Sequence, residues 1–237
     1  PPRGQARRRR LRRRAAPRGP RARGGRGRAR PEFSMEKEIA EVCGAATKVF
    51  GDIGAEVTDE IPDFTGVLEA FQTLRAVLFA TMMEPIMQQH RDKIAPEIVG
   101  NIERGLNITP PQIFEAERIR IELFKKILDF FETHDFLICP AASIAPFPVD
   151  QRYVTEIDGK PCETYIDWFS ITFALTMTAC PTISVPCGFT SEGLPVGVQI
   201  MGKPRGEAAL LLVAKRFEQA IGISAKLPIS PQKLKLI

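Results

Sequence analysis

The chain has 237 residues, enough for one or two domains with a sizeable core, and its 44% hydrophobic and 26% charged residues are ordinary for a globular protein. The formal charge of +5 conceals a split: residues 1–30 hold 14 Arg and no acid, which leaves 19 bases against 28 acids in the body. An acidic body is a poor surface for nucleic acid, so the whole-chain charge gives no argument for a DNA- or RNA-binding fold, and no apolar run reaches the length of a membrane span.

Residues 1–30 are built almost entirely from Arg, Gly, Ala and Pro, with one Gln and one Leu. They carry almost no apolar mass to bury, and their like charges repel, so a disordered leader is expected. Its arginines fit RNA or an acidic partner through phosphate contacts and stacking, a nuclear address, or an organelle transit peptide, although serine and an amphipathic face are missing. Those four residue types also share codons written with G and C alone. We therefore put first a translated GC-rich leader or a misjoined exon, with Met35 as an alternative start.

In the body, residues 35–50 place Ile39, Val42, Cys43, Ala46, Val49 and Phe50 on one helical face, and 55–61 (AEVTDEI) reads as a strand. Residues 65–90 read as a long apolar helix broken or kinked at Pro85, with Met82, Met83 and Met87 as core filling. A short helix from Ile94 is expected to stop at Gly105. The next begins at Thr109-Pro110-Pro111-Gln112, with Thr109 as N-cap, Pro110 at the first helical position and Gln112 at the capping-box spacing. It runs to about Thr133, with Phe114, Ile121, Leu123, Phe124, Ile127, Leu128 and Phe131 as its buried stripe. The apolar run 135–142 before a proline-rich loop (141–162) reads as a buried strand. Residues 163–180 read as a helix, 182–189 and 196–202 as a hairpin through a Gly-containing turn, and 206–221 as a final helix closed by Gly222. The alternation gives an α/β fold class.

The five cysteines form no CxxC pair and are odd in number, so reduced thiols and a cytoplasmic compartment are expected. His90 and His134 have no ligand-spaced neighbours and each follows a helical run. Both read as solvated side chains near helix C-termini, with no metal site and no cofactor.

The stretch Cys180–Gly202 (CPTISVPCGFTSEGLPVGVQIMG) resembles the C-terminal core of the amidase signature family, whose members hydrolyse amide bonds. The likeness lies in the Pro181–Phe189 strand, the Gly193-Leu194-Pro195 turn and the Gly197–Ile200 strand, followed by Gly206-Glu207-Ala208. Leu137–Pro140, Ile157-Asp158-Gly159 and Tyr165–Trp168 resemble its upstream strand, loop and helix, and residues 35–61 its middle segment, so the likeness covers roughly residues 35 to 225. One departure is local: the family often has Asn-Leu-Thr-Gly where this chain has Thr176-Met177-Thr178-Ala179.

The resemblance implies the C-terminal part of a mixed-sheet fold with surrounding helices, incomplete, over residues 35–230, flanked by the leader (1–34) and a tail (231–237). It implies acyl transfer through a serine ester, with the nucleophile on a Gly/Ser-rich loop, a second serine in a cis peptide and a lysine base. No Gly/Ser-rich run occurs here, none of Ser34, Ser143, Ser170, Ser184, Ser191, Ser224 and Ser230 has that setting, and Lys160 and Lys203 have glycine neighbours but no nearby serine. The expectation is a family fragment, inactive alone, with no catalytic residue of its own. It would retain part of a substrate wall at Asp167, Trp168, Thr172 and Phe173, and would take a small-molecule amide only when completed by the missing half. The alternatives are a binding protein acting through the leader, and one half of a split enzyme. A fold cut in half is further expected to expose the apolar strand segments Leu137-Ile138 and Ile183–Val185.

Overall fold

The structure, a computed structural model, describes residues 33–223, so the expectations for residues 1–32 of the leader and for the tail lie outside the described residues, whereas Phe33 at the leader's end is buried against Phe64. Six α-helices occur among these residues: α1 (Lys37–Asp52), α2 (Val67–His90), α3 (Pro96–Leu106), α4 (Pro110–Thr133), α5 (Ser170–Thr176) and α6 (Glu207–Ile221). The strands are β1 (Phe136–Pro140), β2 (Glu156–Ile157), β3 (Lys160–Pro161), β4 (Thr182–Phe189) and β5 (Pro195–Gly202).

β1, β5 and β4 form an antiparallel sheet in that order, with Ile138 opposite Ile200 and Ile200 opposite Ile183. The period of two along a strand sends alternate side chains to opposite faces. Phe136 and Ile138 of β1, Val198 and Ile200 of β5 and Val185 of β4 enter a core with Ile39, Cys43 and Phe50 of α1 and Leu210, Val213 and Phe217 of α6. The Phe50 and Phe217 rings stack there at 4.5 Å. Leu137 and Met201 point the other way, into a second core with Val67 of α2, Leu123, Ile127 and Phe131 of α4, and Ala174 and Leu175 of α5. The result is a three-layer α/β arrangement. The segments Leu137-Ile138 and Val185, expected to lie open, are therefore buried beneath the chain's own helices, and Ile183 is partly buried.

Residues 55–61 form no strand. Ala55 and Val57 pack on the first core while Ile61 and Phe64 pack on the second, so this segment crosses between the helical layers instead of joining a ladder. Strand propensity there loses to tertiary context. Helix α2 continues through Pro85 to His90. Gly105 lies inside α3 rather than ending it. A Cβ there would sit 2.0 Å from the Ala76 carbonyl oxygen, so the glycine lets α3 approach α2. The capping box of α4 forms, with Thr109 N–H and the Thr109 hydroxyl both donating to Gln112 Oε1 at 2.9 Å.

Three of the seven residues of the expected α4 stripe, Leu123, Ile127 and Phe131, are buried. Ala116, Leu123, Ile127 and Phe131 face the core, whereas Phe114 and Ile121 are more than half exposed (60% and 52%), and Phe124 and Leu128 are exposed as well. Of the three methionines expected to fill core, Met87 is buried, Met83 packs partly and Met82 is exposed. His90 is exposed, but His134 is not the solvated side chain expected. Its ring stacks on Phe130 at 3.9 Å, Nδ1 lies 2.9 Å from the Phe130 carbonyl, and Nε2 lies 3.2 Å from Glu60.

The expected helix over 163–180 shortens to a 3₁₀ turn (Asp167–Phe169) and α5. The Asp167 carboxylate accepts from the Glu163 and Thr164 amides at 2.7 and 2.9 Å and from the Thr164 hydroxyl, which folds 163–167 back on itself before any helix starts. Within the loop after β1, Asp158-Gly159 closes the β2–β3 hairpin with positive φ at both residues (46° and 77°), the two-residue turn for which Asp-Gly is suited. The β4–β5 hairpin and the αL cap at Gly222 form where the sequence placed them. No helix among the described residues is long and apolar enough to cross a membrane.

Candidate functional site

The chain leaving β1 is held in place by the start of α1. Glu36 N–H donates to the Ser143 carbonyl at 2.8 Å, the Glu36 carboxylate accepts from Ala145 N–H at 2.8 Å, and the Asp158 carboxylate caps α1 by accepting from Lys37 N–H at 2.8 Å. Ser143 N–H in turn donates to the Trp168 carbonyl at 3.1 Å. These ties enclose a cavity of about 420 Å³ at the end of the sheet, lined by Ala141, Ala142, Ile144–Phe147, Trp168, Ser184, Pro195–Gly197 and Ile39.

The lining has no charged side chain, and apart from the Trp168 indole N–H the Ser184 hydroxyl is its one polar side-chain group. Ser184 is exposed on β4, whereas its neighbour Val185 is buried on the opposite face. Gly197 keeps the wall open, since a Cβ there would come within 3.3 Å of Ala141 Cβ and 3.4 Å of Ser184 Oγ. The indole of Trp168 is fixed by its N–H donating to the Tyr165 carbonyl at 3.2 Å and by edge-to-face contacts with Phe147 and Phe169. A site of this kind favours an uncharged, partly aromatic or aliphatic group.

The structure divides the four residues expected to form a substrate wall. Trp168 lines the cavity. Thr172 stands behind it, its hydroxyl donating to the carbonyl of the lining residue Ala141 at 2.7 Å. Phe173 is buried, stacked on Phe71 at 4.1 Å, and the Asp167 carboxylate is taken up by its own turn. Sequence reasoning marked the 141–162 loop but named neither Ser184 nor any residue of 141–147 as part of the site. The alternation of β4 sets Ser184 opposite the core residue Val185, and the proline-rich composition of 141–147 marked it as a functional loop.

No described serine is arranged for nucleophilic attack. Ser143 and Ser170 are buried, and the Ser143 hydroxyl has no hydrogen-bond partner. Ser184 reaches the cavity, but no Lys or His lines it. Lys203 lies 3.6 Å from Asp135, and Lys160 is exposed on β3. The thiols are no better suited. Cys43 and Cys187 are buried with their sulfurs 3.9 Å apart, and the Cys187 hydrogen bond and burial push the Cys43 pKa up. Burial, opposed by a hydrogen bond from Gln199, takes the Cys139 pKa up to about 12. A hydroxyl without a base and thiols held neutral are both weak nucleophiles. Among the described residues no group of three or more His, Cys, Asp or Glu is arranged to hold a metal ion.

Comparison with known proteins shows what the fold is similar to. The fold is similar to that of 6-aminohexanoate cyclic dimer hydrolase (TM-score 0.77, 21% identity, 91% of this chain and 48% of that one). It is also similar to a bacterial aryl acylamidase of the amidase signature enzymes (TM-score 0.72, 23% identity, 89% of this chain and 47% of that one). In sequence, the chain is 26% identical over 187 residues to the acylamidase of Rhodococcus erythropolis, covering 78% of this chain and 39% of that protein. It is 36% identical over 107 residues to a glutamyl-tRNA(Gln) amidotransferase subunit from Thermodesulfovibrio yellowstonii, covering 45% of this chain and 21% of that protein. The chain thus spans well under half the length of these curated relatives. The family model described as Amidase matches residues 11–211, and, as the hairpin motif implied, the chain belongs to the amidase family.

Proposed function

We propose that this chain supplies the C-terminal, substrate-wall portion of an amide hydrolase and does not hydrolyse amides by itself. The observation that carries this reading is the cavity at the end of the sheet. It offers one hydroxyl, Ser184, and a wall of Trp168, Phe147 and small residues, but no base. Hydrolysis through a serine ester needs a nucleophile with an adjacent base and donors for the oxyanion. A Gly/Ser-rich segment carrying those groups would complete the site from elsewhere. The outer strands β1 and β4 have no second strand partner among the described residues, which supports docking of a complementary half. Trp168 and Phe147 would then contact the acyl or amine portion of a neutral amide, with Thr172 holding the wall through Ala141. We assign the chain to a reducing compartment such as the cytoplasm, a reading supported by Cys43 and Cys187 as adjacent free thiols.

The test is hydrolysis of aliphatic and aryl amides by the purified chain, alone and mixed with an amidase segment bearing a Gly/Ser-rich loop. No hydrolysis alone and hydrolysis on mixing is the expected pattern, and turnover by the chain alone would overturn it. The leader supports a second reading through its 14 arginines. Salt-sensitive RNA binding that disappears on deletion of residues 1–30 would favour it.

A further inference from the structure

A second cleft, of about 330 Å³, opens between α2, α3 and the segments 153–155 and 162–165, and it shares no lining residue with the Trp168 cavity. At its wall stands Arg75, a half-buried guanidinium with no carboxylate partner among the described residues. The other charges along the cleft behave differently. Arg104 is paired with Glu69 at 3.1 Å, and Glu97 with Arg152 at 2.8 Å, so these cancel within the protein. Glu163 is exposed on the lining without an ion-pair partner among the described residues, and it disfavours a ligand of high negative charge.

The Arg75 guanidinium is oriented rather than neutralised. Its central carbon lies over the Phe79 and Tyr165 rings, 4.7 and 5.3 Å from their centroids. In its plane it donates to Asn101 Oδ1 at 2.9 Å and to the Tyr165 hydroxyl oxygen. A guanidinium has five N–H donors, so two bonds leave it unsaturated. The Tyr165 oxygen accepts a second bond, from Asn101 Nδ2 at 2.9 Å. With its oxygen accepting twice, the phenolic O–H is left as a donor with no acceptor among the described residues.

We propose that this cleft binds a small molecule ending in a single carboxylate, received by the remaining N–H donors of Arg75 and by the Tyr165 O–H. A planar fork matches a carboxylate geometrically, and a partly desolvated cation is stabilised by a matching anion. Tyr165 also joins this cleft to the first cavity, because its carbonyl holds the Trp168 indole.

The test is ligand-observed saturation-transfer NMR on the full chain with propionate, and with propionamide as its uncharged counterpart. Saturable binding of propionate is expected, with propionamide at least about tenfold weaker, because the charge-assisted bonds are lost. Arg75→Met abolishes propionate binding. Tyr165→Phe keeps the ring and removes the hydroxyl, both the free donor and the oxygen that accepts from Arg75 and Asn101, and it weakens binding about tenfold. Tyr165→Phe also decides the matter if the Arg75 variant fails to fold. Absence of saturable propionate binding, equal binding of the amide, or wild-type affinity in either folded variant would overturn the proposal.

Discussion

Ala179 shows how much one residue can record. It adopts φ of 54°, in the left-handed region where a Cβ is strained, and it stands where the family often has glycine. The departure was legible in the sequence, but the strain was not, because the backbone sign is set by the turn that brings α5 round to Pro181. Ala179→Gly is therefore expected to stabilise the chain by about 1 kcal/mol, read as a rise in the denaturation midpoint. A lowered midpoint would show that the alanine methyl packs usefully. The Ser143 hydroxyl, buried without a partner, makes the opposite kind of case. Removing it leaves no acceptor or donor behind, so Ser143→Ala is expected to be neutral or stabilising, whereas truncating a satisfied buried hydroxyl costs about 1 kcal/mol. The thiols follow from burial. Held neutral at about pH 8, Cys43 and Cys139 should resist iodoacetamide in the native chain and react only on unfolding. Rapid native modification of either, mapped by mass spectrometry, would place it in a more polar setting than the one described.

Among the elements, those with a strong local rule were readable and those fixed by distant contacts were not. The capping box of α4, the β4–β5 hairpin and the Gly222 cap rest on residues within a few positions of one another, and each formed as read. The Asp158-Gly159 hairpin carried an equally local cue that the length of the surrounding loop obscured. By contrast, the fate of 55–61 depended on two cores that its own sequence does not name. Asp167 reads in the sequence as a ligand-facing group, yet its carboxylate closes a turn and cuts a helix short. Gly105, read as a stop, serves the α2–α3 contact. Gly105→Ala drives a methyl into the Ala76 carbonyl and is expected to destabilise the chain by about 2–3 kcal/mol, a cost typical of overpacking. An unchanged denaturation midpoint in that variant would mean that the two helices separate easily.

For the molecule as a whole, the three-layer arrangement covers the central strands, so the exposure expected of a half-fold moves elsewhere. Thr182 and Ser184 of β4 are open, as are Leu78, Met82 and Ile86 on α2 and Phe114, Ile121, Phe124 and Leu128 on α4. Apolar surface of this extent is characteristic of a face that something else covers. The purified chain is therefore expected to bind a hydrophobic dye strongly and to self-associate. A monodisperse monomer without dye binding would show that these faces are tolerated in water. The site itself was partly legible, since the hairpin motif and Trp168 lead to the cavity while its Ser184 and 141–147 walls emerge only once the sheet is assembled. The central claim, a family scaffold whose described residues carry no activated nucleophile, is tested most directly by treating the purified chain with a serine-directed fluorophosphonate and mapping the modified peptides. The account predicts no stoichiometric label on any serine. Full labelling of Ser143, Ser170 or Ser184 would contradict it.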